Sequence, residues 1–238
     1  MTHGHNTGRD LIEPPLHGNQ GDREPLSKLT APLGLTVAIS RESGARGGSI
    51  AKRVGRRLGW QVYTQELLEY MCGNEAARSQ VLANVPQDAT GWADYQLARL
   101  KKEKIVNPDV HLGEMPRLIL TLAARGGVIL VGRGAGYLLP RETTLHIRVV
   151  APLDGRVAYM AQYLRRTREE AAEQVSELDD QRAEFLLKTF NRRAGSDLCD
   201  YDLVLNSFLL GEEICADLVQ AAVRSKEKLL QSDDDSQF

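Results

Sequence analysis

The sequence predicts an α/β fold, with a five-stranded parallel sheet and helices on both faces. Three observations carry this. Short apolar runs with little polar alternation recur along the chain, as strands covered on both faces require. Segments of helical periodicity separate them. The first run passes directly into a glycine-rich turn and an amphipathic helix.

That first segment is LTVAISRESGARGGSIAKRVGRRLG, residues 35–59. Leu35, Val37 and Ile39 form a buried strand ending at Ser40. Gly44, Gly47 and Gly48 allow a tight turn whose N–H groups converge on an anion. In the helix that follows, Ile50, Ala51, Val54 and Leu58 share one face and leave Lys52, Arg53, Arg56 and Arg57 to solvent. GWQVY (59–63) is the second strand candidate. Residues 65–126 are mostly helical, interrupted at NVPQDATG and VNPDV. VILVG (128–132), TLHIRVVA (144–151) and YDLVLN (201–206) complete the set of strands.

After the fourth strand, Val157, Met160, Ala161 and Leu164 form one helical stripe. Thr167 and Glu170 then have capping-box form, so a new helix begins there. The chain breaks between the two helices, with Arg165, Arg166 and Arg168 at the junction. Residues 1–33 are rich in Gly, Pro, His and charge and are expected to be a disordered leader that includes His3 and His5. The tail, SDDDSQF, is expected to be solvated and disordered. No internal repeat is seen.

With 238 residues the chain suits one α/β domain with flexible ends, and its net charge of −2 argues against general nucleic-acid binding. No apolar stretch approaches the roughly 20 residues of a bilayer span. The N-terminus lacks the apolar core of a secretory signal. Cys72, Cys199 and Cys215 have no metal-type spacing, and reduced thiols in the cytoplasm are expected. Cys72 and Cys215 are expected to be small core residues.

Ligands of parallel sheets sit at the carboxyl ends of the strands. The residues in question are therefore Arg41–Ser49, Thr64–Gln65, Arg133–Gly136, Pro152–Arg156 and Ser207. The pattern G-x-x-x-x-G-K-[ST] wants a lysine for the outer phosphates and a hydroxyl for magnesium. Two alignments, one residue apart, put that lysine's slot at Gly47 or Gly48, with Ser49 as the hydroxyl. Arg46 or Arg41 is then the replacement charge, since guanidinium suits bidentate phosphate contact. The other reading is a βα turn whose glycines serve packing alone. In GRGAG (132–136), Arg133 reaches a phosphate in the crevice and the glycines admit the ligand closely, or else the arginine points outward. The arginines at 165, 166 and 168 form a lid over transferring phosphoryl groups, or an ordinary solvated face. Arg156 contacts phosphate or caps the core. Asp179 and Arg182, three apart, either pair with each other or hold an acceptor nucleotide.

Taken together, these pieces resemble the cytidylate kinase-like family. SRESGARGGSIA (40–51) resembles its S-R-E-x-G-x-G-G-x-x-I-A signature, and QVYTQELLEY (61–70) its Y-D-x-E-L segment. VILVGRGAGYLL (128–139) is similar to the V-I-V-G-R strand and turn, and APLDGRV (151–157) to A-P-L-x-x-R-[IV]. DYDLVLNSFLLGEEICADLV (200–219) resembles Y-D-L-V-[IL]-N-[ST]-x-x-L-G-x-E-x-x-x-D-L. The resemblance covers about residues 35–222. Arg46 departs from a usual glycine, Thr64 from the acidic position of Y-D-x-E-L, and Gly134 from the acid of the G-R-D turn in true cytidylate kinases.

The resemblance implies a three-layer P-loop kinase-like domain over 34–228, with 65–126 an acceptor-side helical insertion, 153–193 a lid region and 229–238 an acidic tail. It implies transfer of the ATP γ-phosphate to a nucleoside monophosphate, CMP or dCMP, with ATP and Mg²⁺. Arg41, Gly44, Ala45, Arg46, Gly47, Gly48 and Ser49 would cradle the donor, with the metal at Ser49. Arg46, Arg133, Arg165 and Arg166 would neutralise developing charge. Thr64, Arg156, Asp179 and Arg182 would hold the acceptor. Small-molecule nucleotides are the expected partners, with no specific nucleic acid and no membrane. The alternatives are a nucleotide-binding sensor or partner module with little turnover, and transfer to another small acceptor.

Overall fold

The computed structural model describes residues 32, 34–85, 88–110, 113–193, 195 and 197–235. The expected leader lies outside the described residues apart from Pro32. Five strands form one sheet: β1 (Thr36–Arg41), β2 (Gln61–Tyr63), β3 (Val128–Val131), β4 (Thr144–Val150) and β5 (Leu203–Asn206). Their order is β2-β3-β1-β4-β5, and every pairing is parallel. The central strand β1 sets Thr36 opposite both Val128 and Thr144. The chain leaves β1 toward β2 and β3 on one side and toward β4 and β5 on the other. A crevice therefore opens at the carboxyl end of β1, where ligands of such sheets bind.

One face is covered by α1 (Gly47–Leu58) and α9 (Ser207–Asp235). Val37, Ile39, Ile129, Ile147 and Val149 meet Ile50, Ala51, Val54, Cys215, Ala216 and Val219 there. Arg53 and Arg57, predicted to face solvent, instead pair with α9. Arg53 reaches Glu212 at 3.1 Å and Glu213 at 2.7 Å, and Arg57 reaches Asp217 at 2.7 Å. Such pairs at a surface seam contribute about 0–1 kcal/mol each. Mainly they align the two helices over an apolar core that periodicity did anticipate.

The opposite face carries α2 (Gln65–Gly73), α3 (Glu75–Leu82), α4 (Ala89–Lys102), α5 (Met115–Ala124) and α6 (Ala135–Leu138). Their core joins Ala38, Leu130, Leu68, Trp92, Ile119 and Leu122. The helices α7 (Leu153–Leu164) and α8 (Arg168–Phe190) form a hairpin. The predicted break is there: Arg165 takes φ 55° and ends α7, and the Thr167–Glu170 capping box starts α8. Val157, Ala171 and Val175 make a small core of their own between the two helices.

One boundary differs from expectation. The acidic tail is helical as far as Asp235, because α9 continues through Leu230, which packs on the sheet core. Of the cysteines, Cys215 is buried, Cys72 half-buried and Cys199 exposed. No described helix is long and apolar enough to cross a membrane.

Candidate functional site

Two adjoining cavities open at the carboxyl ends of β1 and β3. The larger, about 300 Å³, is the cavity of the glycine-rich loop, lined by Gly44, Arg46, Gly47, Gly48 and Ser49 with Lys52, Thr64 and Glu66. The smaller, about 130 Å³, sets Arg41, Arg133, Arg148 and Arg182 around Leu178, Phe185 and Leu186, with Ser40, Gln65 and Gln181. Arg41, Leu178 and Arg182 line both.

Arg41 is the residue the geometry singles out. A Cβ placed on Gly47 would lie 2.7 Å from Arg41 Cβ and 3.1 Å from its Cγ. The arginine stem thus fills the space that a side chain at position 47, one of the two lysine slots, would enter. Further out, a Cβ on Gly132 would collide with Arg41 Nη1. Gly47 and Gly132 are therefore the gap through which Arg41 reaches the junction of the cavities. Its Nη2 donates to Gln65 Oε1 at 3.4 Å, and among the described residues no carboxylate pairs with it. Burial, with Arg182 and Arg133 adding repulsion against some help from Glu66, brings its pKa down to about 10. A partly desolvated cation in such a position is completed by an anion.

Arg133 also lines the smaller cavity, as the strand-end argument requires. It pairs with Glu69 and lies over the Phe185 ring at 5.4 Å, while its buried Nε lacks a partner. Burial lowers its pKa, opposed by Glu66 and aided by Arg182. Of the glycines around it, Gly132 and Gly134 line the same cavity and Gly136 does not. Cβ atoms at Gly132, Gly134 and Gly136 would meet Arg41, Phe190 and His146 respectively, so their space is already taken by protein.

Arg46 caps α1 with φ 59°, and its guanidinium sits 4.7 Å from the Tyr159 ring centre. Ala45 does not line either cavity. It is fully buried, its N–H donates to Glu42 O at 3.3 Å, and its carbonyl accepts from Ser207 Oγ at 2.8 Å. Ser207 therefore shapes the loop rather than meeting a ligand.

Asp179 and Arg156, assigned to the acceptor, are engaged elsewhere. Asp179 accepts from the Ser43 N–H at 2.7 Å, from Arg156 at 2.5 Å and from Arg182 at 3.3 Å. Arg156 in turn donates to Ala151 O and Ser43 O, both at 3.1 Å. Together they latch the start of the loop to α8. Of these three, Arg182 alone lines the cavities, its pKa lowered by burial against the pull of Asp179. Thr64 caps α2, accepting from Leu67 N at 3.4 Å, and lines the loop cavity.

Arg165, Arg166 and Arg168 are not brought to either cavity. They lie at the exposed tip of the α7–α8 hairpin, where Arg166 donates to Gln174 at 3.1 Å and Arg168 to Asp154 at 3.0 Å.

The sequence reading overlooked Glu66, Arg148, Tyr159 and Tyr163. Glu66 stands at the glutamate of the Y-D-x-E-L segment. Burial works against its charge, but the Thr64 hydroxyl, its own backbone, Arg41 and Arg182 outweigh this and hold it below the ordinary carboxylate value. Arg148 pairs with Glu42 at 3.3 Å. Its signal is strand alternation, which puts Ser40, His146 and Arg148 on one face.

The comparisons agree with this architecture. A solved structure of an uncharacterized protein from Eubacterium ventriosum is 16% identical, with a TM-score of 0.56, over 80% of this chain and 98% of that one. A shikimate kinase from Bacteroides thetaiotaomicron is 12% identical, with a TM-score of 0.44, over 80% and 98%. At these identities the first likeness shows the fold alone, and the second carries no argument. A uronate isomerase from Corynebacterium glutamicum is 37% identical over 103 residues, which are 43% of this chain and 20% of the isomerase. The chain thus spans about a fifth of that relative, and nothing of its activity transfers. The profile of the cytidylate kinase-like family matches residues 36–208, from the first residue of β1 to the second of α9. Both cavities and the latch lie within that span, and this chain belongs to the cytidylate kinase-like family.

Proposed function

We propose that the protein transfers the γ-phosphoryl group of ATP to a nucleoside monophosphate, CMP or dCMP, with the donor in the loop cavity and the acceptor in the smaller one. The observation that carries this is Arg41: a half-buried arginine, unpaired by any carboxylate among the described residues, on the wall common to both cavities. Phosphoryl transfer is mostly positioning plus neutralisation of charge on the transferring group, and that wall is where the charge would pass.

In this reading the N–H groups of the loop and the amino end of α1 hold the donor phosphates. Arg41 and Arg182 flank the transferring group, while Arg133 and Arg148 receive the acceptor phosphate above Leu178 and Phe185. No side-chain nucleophile is needed. Magnesium fits the oxygen donors present: the Ser49 hydroxyl and the Glu66 carboxylate line the loop cavity and would hold it. Such ions commonly take one or two carboxylates and complete their shell with phosphates and water. When bound, the ion supplies neutralisation of the phosphate oxygens.

Steady-state ADP release from ATP with a panel of monophosphates tests the reading. CMP or dCMP is expected to give the highest kcat/KM. ATP binding without ADP formation across the whole panel would refute transfer and leave a binding module.

A further inference from the structure

Arg46 does not aim at the cavity junction; it is held against a ring. Its guanidinium lies 4.7 Å from the centre of Tyr159, which stacks on Tyr163 with ring centres 5.8 Å apart and planes 14° from parallel. The tyrosines are four residues apart on α7 and so share one helix face. Both line the loop cavity, yet Tyr163 remains 70% exposed. A lone surface tyrosine needs no explanation. Here two parallel rings continue a guanidinium that is rooted in the loop by its left-handed capping residue, and the outer ring offers its surface beside the site taken to hold the donor phosphates.

We infer that Tyr159 and Tyr163 form a stacking shelf for the base of the donor nucleoside triphosphate. This rests on the donor reading of the loop cavity. A planar heterocycle placed against Tyr163 extends the stack, and the bound phosphates keep it close. Stacking uses the π-face that every base has, whereas discrimination needs hydrogen bonds to base edges. The shelf therefore grips the donor with little regard for which base it carries. It also assigns Arg46: bound to the Tyr159 face, it connects shelf and loop, leaving Arg41 to take the charge role of the missing lysine.

The test is titration calorimetry of the full-length protein with Mg²⁺ and ADP, GDP, CDP, UDP or inorganic tripolyphosphate. Wild type is expected to bind the four nucleotides within about fivefold of one another. Tyr163→Ala is expected to weaken all four about tenfold, as loss of one base–aromatic stack implies, and to leave tripolyphosphate unchanged. Tyr163→Trp should restore nucleotide binding. The shelf is overturned if Tyr163→Ala leaves nucleotide affinity intact, weakens tripolyphosphate equally, or affects a single base. Failure of wild type to bind either tripolyphosphate or any nucleotide overturns the donor reading itself, and the shelf with it.

Discussion

Moving the positive charge from Arg41 back to position 47 separates electrostatics from packing. Lowering the pKa of the Arg41 guanidinium to about 10 costs its charged form on the order of 3 kcal/mol. Arg41→Ala removes that penalty, so the ligand-free protein should melt no lower than wild type, although the stem's apolar contacts are lost. On the proposed function, the same change removes a charge contact from the transferring phosphoryl, for which losses of about 10²–10³ in kcat are usual. Gly47→Lys alone brings a Cβ within 2.7 Å of Arg41 Cβ; overpacking of this kind costs about 1–3 kcal/mol, and it adds a cation beside several others. Combined, Arg41→Ala removes Cγ and all beyond it, the 3.1 Å contact included, and leaves only the Cβ–Cβ approach for the backbone to absorb. The double variant is expected to recover at least tenfold in kcat over Arg41→Ala and to melt above Gly47→Lys. Differential scanning calorimetry and ADP-release kinetics on the four proteins read both quantities. Strictly additive effects, or full activity in Arg41→Ala, would refute the exchange of roles.

Asp179→Asn keeps the shape of the latch but weakens its hold on Ser43 and Arg156; a loss of about 1–3 kcal/mol in urea unfolding is expected, with faster hydrogen exchange at the Ser43 amide. Unchanged exchange there would show that the loop stands without α8. His146, buried and holding its Nδ1 against Asp200 O at 2.8 Å, has its pKa lowered to about 4, chiefly by burial. The unfolded chain therefore binds the extra proton first, so stability is full above about pH 6.5 and falls as the pH drops toward 4, by up to about 1.4 kcal/mol per unit. Thermal melts of wild type and His146→Gln between pH 4 and 7 should show that slope in the former and a shallower one in the latter. Finally, Arg165 and Arg166 changed together to Ala should lower kcat more than acceptor KM if the hairpin tip closes during turnover. Equal kcat in the pair variant removes the lid role.

Much of the fold was legible because its determinants are local. A strand covered on both faces appears as a continuous apolar run, and VILV and TLHIRVV are such runs. The Thr167–Glu170 box announced itself through side chains three residues apart. The site was less legible, since its roles depend on what passes through which gap. GRGAG looks like open room for a ligand, yet Arg41, Phe190 and His146 fill the Cβ positions of its glycines, and only part of the turn lines the cavity. Asp179 and Arg182 have identical spacing whether they meet a nucleotide or each other. Only the approach of Ser43 and Arg156 shows that the carboxylate is already committed. Arg148 was hidden within a run read for its hydrophobicity.

The contact between Ser43 and Asp179 spans 136 positions of chain. A polypeptide still emerging from the ribosome, or one clipped between the α5 and α8 segments, contains every glycine of the turn but not the carboxylate that sets its opening residue. On the proposed function, nucleotide capture would therefore be a late property of synthesis, acquired when the second arm of the hairpin arrives. Incomplete products, whatever motif they display, would then be poor competitors for the ligand.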